Sequence, residues 1–387
     1  MQAWIMAQVA FCLVVLLVAG MLVRSFDRLS RQPLGYQPQG IVNLESVARP
    51  AQPAVFWGQV ADHLRSLPGV ASVAIASWPL MSGESANSAI AVDGVPSEVF
   101  ADRYGVSPGW FATMRIPLLR GRDFRPEETT GRPAIVNQAF ARQYFDNLDP
   151  LGRSFSVLDG RGGATALQVV GVVADARNRD DLRLALRPTF YLPFGATAGS
   201  AAPPPPTRGT FVIRLAPGVA PRTLISTWRA AVTRTRPELR VSNVLAQTDI
   251  VASKTIRQRA LALLAYFFGG VAMLLAAVGL YGVLEYSVRQ RRRELGIRMA
   301  LGARGGHIAR QVIAVTFLMV GLGAALGMGA GIACARYFAA LFYGVRPGDA
   351  GVLIVPLLLI AVTAMLAALP AVLRALAIDP GALLRQD

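Results

Sequence analysis

The 387-residue chain holds few groups able to do chemistry: two histidines, two cysteines and one lysine. A zinc site needs three or four convergent ligands. His63 stands beside Asp62 on an expected helix with no second histidine near it, and reads as a solvated surface residue. Cys12 and Cys334 both fall in long apolar runs, so the polar part of the chain offers no disulfide and no thiolate metal site. The run Asp175, Arg177, Arg179, Asp180, Asp181 and the pair Glu127-Glu128 read as wet loops, without partners at a spacing that suits acid–base work. A phosphate-cradling loop needs Gly-Lys-Ser/Thr, because the lysine must reach the terminal phosphates. The single lysine, Lys254, follows Ser253 in Val-Ala-Ser-Lys-Thr, so any ATP-driven work must use another polypeptide. No catalytic residue, cofactor site or metal site is expected.

What remains is arginine. Arg289, Arg291, Arg292, Arg293, Arg298, Arg304 and Arg310 face a single acidic residue, Glu294. An arginine in hydrocarbon costs about 2.5–3.5 kcal/mol, so this segment is held at a membrane surface. From Arg293 to Ala303 the residues suit a short helix, with Leu295, Met299 and Ala300 near one face. On the residues alone, two readings stand level. The arginines fix topology and bind anionic lipid, or the short helix docks into a partner. The net charge of +16 does not point to nucleic acid, because the arginines are scattered or packed beside apolar runs.

Those apolar runs are the elements that position the arginines. Residues 1–23, 260–284, 311–335 and 350–373 contain no Asp, Glu, Lys or Arg. About 20 helical residues cross a hydrocarbon core about 30 Å thick, and only helices or closed barrels satisfy their backbone there. The first run lacks a basic leader and a good cleavage site, so a retained helix is expected rather than a removed signal. The arginine-rich loop between the second and third runs is placed in the cytoplasm. The expected layout is span 1 at 1–23, an outside domain at 24–258, span 2 at 259–288, a cytoplasmic segment at 289–308 and span 3 at 309–336. A short outside loop at 337–349, span 4 at 350–373 and a cytoplasmic tail at 374–387 complete it. Both termini are then cytoplasmic. Arg24, Arg28 and Arg31, directly after span 1, pull the other way, but long domains translocate largely regardless of charge.

Within the outside domain, residues 40–110 and 208–250 read as two related halves. The first is strand Ile41–Ala48, helix Pro53–Leu67 with Phe56, Val60, Leu64 and Leu67 on one face, and strand Val70–Ser77. The second is strand Thr210–Leu215, helix Pro221–Thr235 carrying Leu224, Trp228 and Val232, and strand Arg240–Ala246. Two strand–helix–strand units point to a split βαβ α/β sandwich, with 111–207 inserted as a second subdomain and a proline-rich surface loop at 195–207. The fold class is thus four transmembrane helices plus a large α/β outside domain.

In span 3, Gly323, Gly327 and Gly331 recur every four residues, beside a second small-residue row of Ala325, Gly329 and Ala333. Small residues let helix backbones approach closely. The stripe is either a dimer seam or packing against spans 2 and 4. Glu285 stands four residues before Arg289, the spacing of a helical ion pair. Arg336 ends span 3 where its side chain can snorkel to headgroups. In the tail, Asp379 and Pro380 suit the start of a short helix bearing Leu383 and Leu384.

Several segments resemble the FtsX/MacB-type ABC transporter permeases. Tyr281-Gly282-Val283-Leu284-Glu285-Tyr286-Ser287-Val288, then Arg293-Glu294-Leu295-Gly296-Ile297-Arg298-Met299-Ala300-Leu301-Gly302-Ala303, is similar to that family's permease signature. Val106-Ser107-Pro108-Gly109-Trp110-Phe111 resembles its core-domain motif, as do Ile116 to Phe124 and Asn137 to Ala141. The ending Ile378 to Arg385 is similar too, so the resemblance covers essentially the whole chain. It implies a four-span subunit of the bacterial inner membrane that works as a dimer, or pairs with a homologous permease half. It also implies a cytoplasmic ABC ATPase partner and a periplasmic domain that engages substrate or an adaptor. Arg293, Glu294, Leu295, Gly296, Ile297, Arg298, Met299, Ala300, Leu301 and Gly302 would then dock on the ATPase and carry its motion, for export or for extraction of an envelope substrate. A regulator of periplasmic cell-wall hydrolases of the FtsX type is the alternative, and an orphan permease without transport is another. MacB itself carries an ATPase domain ahead of the first span, which is absent here. The start at Met1 resembles the middle of the duplicated orphan permeases of acidobacterial type.

Overall fold

The computed structural model describes residues 2–128, 132–146, 148–158, 163–196, 204–219, 228–229, 232, 236–290, 305–337 and 349–376. In chain order the helices described are α1 (Gln2–Ser30), α2 (Ala54–Arg65), α3 (Trp110–Met114), α4 (Gln138–Tyr144) and α5 (Gln247–Ser253), followed by α6 (Ile256–Gln290), α7 (Gly305–Tyr337) and α8 (Ala350–Leu376). The chain divides into two units, Met1–Arg31 with Thr255–Asp387, and Gln32–Lys254.

The first unit is a helical bundle. α1, α6, α7 and α8 are each long and apolar enough to cross a membrane. They run past the charge-free stretches, since α1 continues to Ser30. The extension is stabilised by ion pairs: Arg31 meets Asp27 at 2.7 Å, and Arg28 meets Asp349, just before α8, at 3.1 Å. Two of the three arginines that argued against the expected topology, Arg28 and Arg31, therefore have carboxylate partners at that end. α1 is the spine, burying Ile5, Val9, Leu13, Leu16, Leu17 and Met21 in the bundle core. Its Gln8 amide donates to the Leu275 carbonyl of α6 at 2.7 Å, and the Cys12 thiol to that of Ala272 at 3.2 Å. These contacts run in opposite directions along the two helices, so α1 and α6 are antiparallel.

Among the described residues the second unit holds eleven strands: β1 (Ile41–Ala48), β2 (Val70–Ala76), β3 (Ala86–Val92), β4 (Val95–Val106), β5 (Leu118–Gly121), β6 (Pro133–Asn137), β7 (Ser154–Leu158), β8 (Ala164–Val173), β9 (Thr189–Pro193), β10 (Arg208–Leu215) and β11 (Leu239–Ala246). At one end of the sheet the order is β11-β1-β10-β2, all antiparallel neighbours. β1 and β2 are therefore parallel with β10 between them, and β10 and β11 are parallel with β1 between them. Two split units interleave, as their spacing in the sequence predicts. One face of this sheet buries Val42, Leu44, Ile75, Phe211 and Ile213 against Phe56, Trp57, Val60 and Leu64 of α2 and against Trp228 and Val232. Most of the expected helix 221–235 lies outside the described residues.

Six of the remaining strands close on themselves, and β5 is added outside the ring on β8. β4 pairs β3, and the path continues through β7, β8, β6 and β9 back to β4, whose Asp102–Val106 runs parallel to Thr189–Pro193. This ring wraps a second core of Ile90, Val136, Phe140, Phe155, Val169 and Phe190. The second layer thus begins with β3 at Ala86, before the residue 111 boundary expected for the insertion. The physical reason is β4. It is 12 residues long, lies in the ring for most of its length, and reaches the first sheet only where Val106 pairs Ala76.

Candidate functional site

The ten residues expected to meet an ATPase, Arg293 to Gly302, lie outside the described residues. Their base is described. Glu285, in the last turns of α6, receives Arg289 at 3.0 Å and Arg374 of α8 at 2.7 Å. Expected as a local i,i+4 pair, Glu285 is shared between two helices, so the ends of α6 and α8 are joined where the arginine-rich segment begins.

Gly323, Gly327 and Gly331 of α7 face α1. A Cβ built on Gly323 would lie 2.9 Å from the Met6 carbonyl oxygen, one on Gly327 2.6 Å from that of Ala10, and one on Gly331 2.5 Å from Leu17 Cδ1. The partner is the first span, neither the second nor the fourth. Both series ascend, so α1 and α7 are parallel. Gly329, in the second small-residue row, has nothing within 4 Å.

In the second unit, the segments resembling family motifs build backbone junctions. The Ser107 hydroxyl accepts the Ile75 amide at 2.9 Å. Gly109 sits at φ 78, a left-handed conformation that glycine adopts without strain. The Asp123 carboxylate accepts the amides of Gly109 at 2.9 Å and Phe124 at 2.7 Å. Burial raises its pKa, outweighing those two amides. Asn137 caps α4 by accepting the Phe140 amide and also accepts that of Thr189, both at 2.9 Å, tying β6 to β9.

The charge run at 175–181 is organised rather than wet. Asp175 accepts the Ala139 amide at 2.7 Å and pairs with Arg142 at 2.6 Å. Arg179 grips Asp102 at 2.6 and 3.0 Å, and Asp102 is only 2% exposed. That carboxylate raises the pKa of Arg179. Glu127 and Glu128 divide: Glu128 forms a two-pronged pair with Arg122 at 2.6 and 3.0 Å, which lowers the Glu128 pKa.

The residues that sequence reasoning missed are polar and buried on the other face of the β11-β1-β10-β2 sheet. Arg214 of β10 donates to three carbonyls, Thr113 at 2.5 Å and Gln39 and Gln37 at 3.1 Å each. Desolvation lowers its pKa. Gln247, fully buried at the start of α5, donates to the Leu80 carbonyl at 2.9 Å and the Tyr36 hydroxyl at 3.1 Å, and accepts Asn43 at 2.7 Å. Tyr36 donates on to the Met81 sulfur at 3.3 Å, and burial raises its pKa. Residues 32–40 directly follow α1 in the chain, and α5 directly precedes α6. The only local signal for these groups is their polarity among apolar neighbours, as with Arg214 in Phe211-Val212-Ile213-Arg214-Leu215.

A four-helix bundle split by a domain of two interleaved βαβ units and a strand ring defines a class of membrane subunit, and the comparisons identify it. The model of the MacB-like periplasmic core domain matches residues 5–231, and that of the FtsX-like permease C-terminal region matches residues 266–380. The chain belongs to the FtsX/MacB family of ABC-type permeases. It is 27% identical over 243 residues to the macrolide export ATP-binding/permease protein MacB of Escherichia coli, covering 62% of this chain and 36% of that one. Against the protein of the same name from Azoarcus sp. strain BH72 it is 24% identical over 298 residues, covering 72% and 41%. The chain therefore spans less than half the length of these relatives. Among solved structures, the periplasmic region of MacB from Actinobacillus actinomycetemcomitans aligns with a TM-score of 0.38 and 14% identity, covering 58% of this chain and 97% of that one.

Proposed function

We propose that this permease subunit couples a separate cytoplasmic ATPase to motion of its periplasmic domain, for export or extraction of an envelope substrate. The observation that carries the reading is the buried network around Gln247, which holds the segment after α1 and the helix before α6 against one sheet. Motion of either span has a covalent route to that network. The arginine excess of 289–310 argues for a cytoplasmic coupling segment and cytoplasmic termini. Pairing of Arg28 with Asp349 and Arg31 with Asp27 supports this orientation, because it neutralises positive charge at the opposite end of the bundle. In this reading Arg293 to Gly302 dock on the ATPase, and the subunit works as a dimer or beside a homologous half, with a periplasmic adaptor. The curated MacB relatives are ATP-binding/permease proteins by name, which supports a hydrolysing partner.

The test is copurification from membranes in mild detergent, with Glu294→Arg and Arg298→Glu variants beside the unmodified chain. An ABC ATPase is expected with the unmodified chain and at least tenfold less with either variant. Recovery of no ATPase removes the coupling reading. Undiminished recovery with both variants removes only the role of 293–302.

A further inference from the structure

The Gln247 carboxamide uses both its donor and its acceptor side on three segments that are distant in sequence. Its nitrogen reaches the Tyr36 hydroxyl and the Leu80 carbonyl, and its oxygen receives the Asn43 amide. Asn43 lies in β1, Leu80 in the turn after β2, and Tyr36 in the strap at 32–40 that continues α1. Gln247, Asn43 and Tyr36 are all buried. A buried amide bonded at both ends is orienting, because each lost bond leaves a polar group without water.

The strap has other anchors, among them the Leu215 amide on the Gly40 carbonyl at 2.8 Å and Arg115 on the Gln37 side chain, but these do not reach α5. Gln37 donates its amide to the Met114 carbonyl at 3.0 Å, and Arg177 donates its amide to Leu34 at 2.8 Å. Arg214 takes the carbonyls of Gln37 and Gln39. Gly35 must be glycine: at φ +78, a Cβ there would come within 2.0 Å of the Asp175 carbonyl oxygen. α5 is one short helix of seven residues, held through Gln247 and Ile250, its two buried residues. Neither segment belongs to a strand ladder. The strap is held by backbone and side-chain bonds together, and the Tyr36–Gln247 bond is the one that it shares with α5.

We propose that Gln247 is a latch that makes the incoming strap and the outgoing α5 open and close together. A displacement carried in by the first span is then also delivered to the helix that leads to the second, and the reverse holds. This deepens the coupling reading and rests on it for its purpose, but the latch is measurable without an ATPase. Tyr36 and Gln247 are positioning residues in this device.

The experiment is hydrogen exchange with mass-spectrometric readout on the purified full chain in detergent micelles, comparing unmodified protein with Gln247→Leu and Tyr36→Phe. The diagnostic reading is the cross effect. Gln247→Leu is expected to accelerate exchange at least tenfold in peptides covering 34–40, and Tyr36→Phe at least threefold in peptides covering 247–254. Peptides from β2 and β10 are expected to keep their protection in both variants. Acceleration confined to the segment that carries the substitution overturns the latch, and so does an equal acceleration of β2 and β10, which marks general loosening. Should Gln247→Leu fail to fold, Tyr36→Phe, which removes one hydroxyl, decides alone. An ATPase that copurifies while cross effects are absent sinks the latch and leaves the coupling reading standing. Cross effects without an ATPase do the opposite.

Discussion

Adding a single methyl group to Gly327 tests whether α1 and α7 are held backbone to backbone. The built Cβ lies 2.6 Å from the Ala10 carbonyl oxygen, 2.9 Å from Ala10 Cα and 3.0 Å from Leu13 Cβ. Two of these atoms belong to backbone, so no rotamer change relieves the clash. Ordinary contact begins at about 3.4 Å, so the helices must separate by roughly 0.8 Å. A gap of that size forfeits about a quarter to a half of the dispersion energy at each neighbouring contact. Forcing an extra methylene into a packed interior costs about 1–3 kcal/mol. Gly329→Ala is the matched control, two residues along the same helix, where a Cβ meets nothing within 4 Å. Both substitutions gain the same helix propensity, up to about 1 kcal/mol in water, so their difference isolates the contact. The assay is unfolding of the full chain in bicelles or mild detergent, by thermal shift and by denaturant titration. Gly327→Ala is expected to be about 1–3 kcal/mol less stable than Gly329→Ala. Equal stability of the two would refute close approach at this seam.

Two further substitutions probe the periplasmic domain. Asp102→Ala leaves Arg179 and Arg187 without their shared carboxylate, which Arg187 approaches at 3.6 Å. Breaking a buried pair costs about 3–5 kcal/mol, and with both arginines partly exposed about 2–3 kcal/mol is expected here. A change in urea-unfolding free energy below about 0.5 kcal/mol would contradict this. Glu128 has a lowered pKa through Arg122, so its stabilisation is present above the unfolded value of about 4.3 and fades as pH falls through the folded value. Arg122 is 38% exposed, so the screened contribution is about 0.5 kcal/mol. Glu128→Gln should lower stability by that amount at neutral pH and leave it unchanged in acid below the folded pKa, whereas a gap persisting there would assign the effect to something other than the charge.

How far the sequence disclosed this molecule depended on the range of the interaction. The spans were legible because lipid imposes a local requirement on every residue of a run. The interleaved βαβ units were legible because α2 carries Phe56, Val60 and Leu64 on one face and strands flank it. The strand ring was not, since nothing local in Asp102–Val106 announces a parallel partner at Thr189–Pro193. The same limit hid Asp102, Arg214 and Gln247. Each is a polar residue whose partners lie far away in sequence, so its neighbours along the chain suggest only an interruption in an apolar pattern. The glycines of α7 were legible as a close-packing stripe, but their partner was not, because spacing reveals which face packs and not what it packs against. The charge run at 175–181 misled for a related reason. Its carboxylate Asp175 is used by α4, which charge order alone does not disclose.

The spine position of α1 has a consequence for how the protein is made. α1 is synthesised long before its companions, since Gln8 waits for Leu275, 267 residues later, and Arg28 for Asp349, 321 residues later. Until then the helix must sit in lipid or beside the insertion machinery with its glycine-receiving face uncovered, while the whole periplasmic domain is threaded across and folds. Biogenesis of this subunit is therefore an act of waiting, and its most vulnerable moment falls between the two halves of its own bundle.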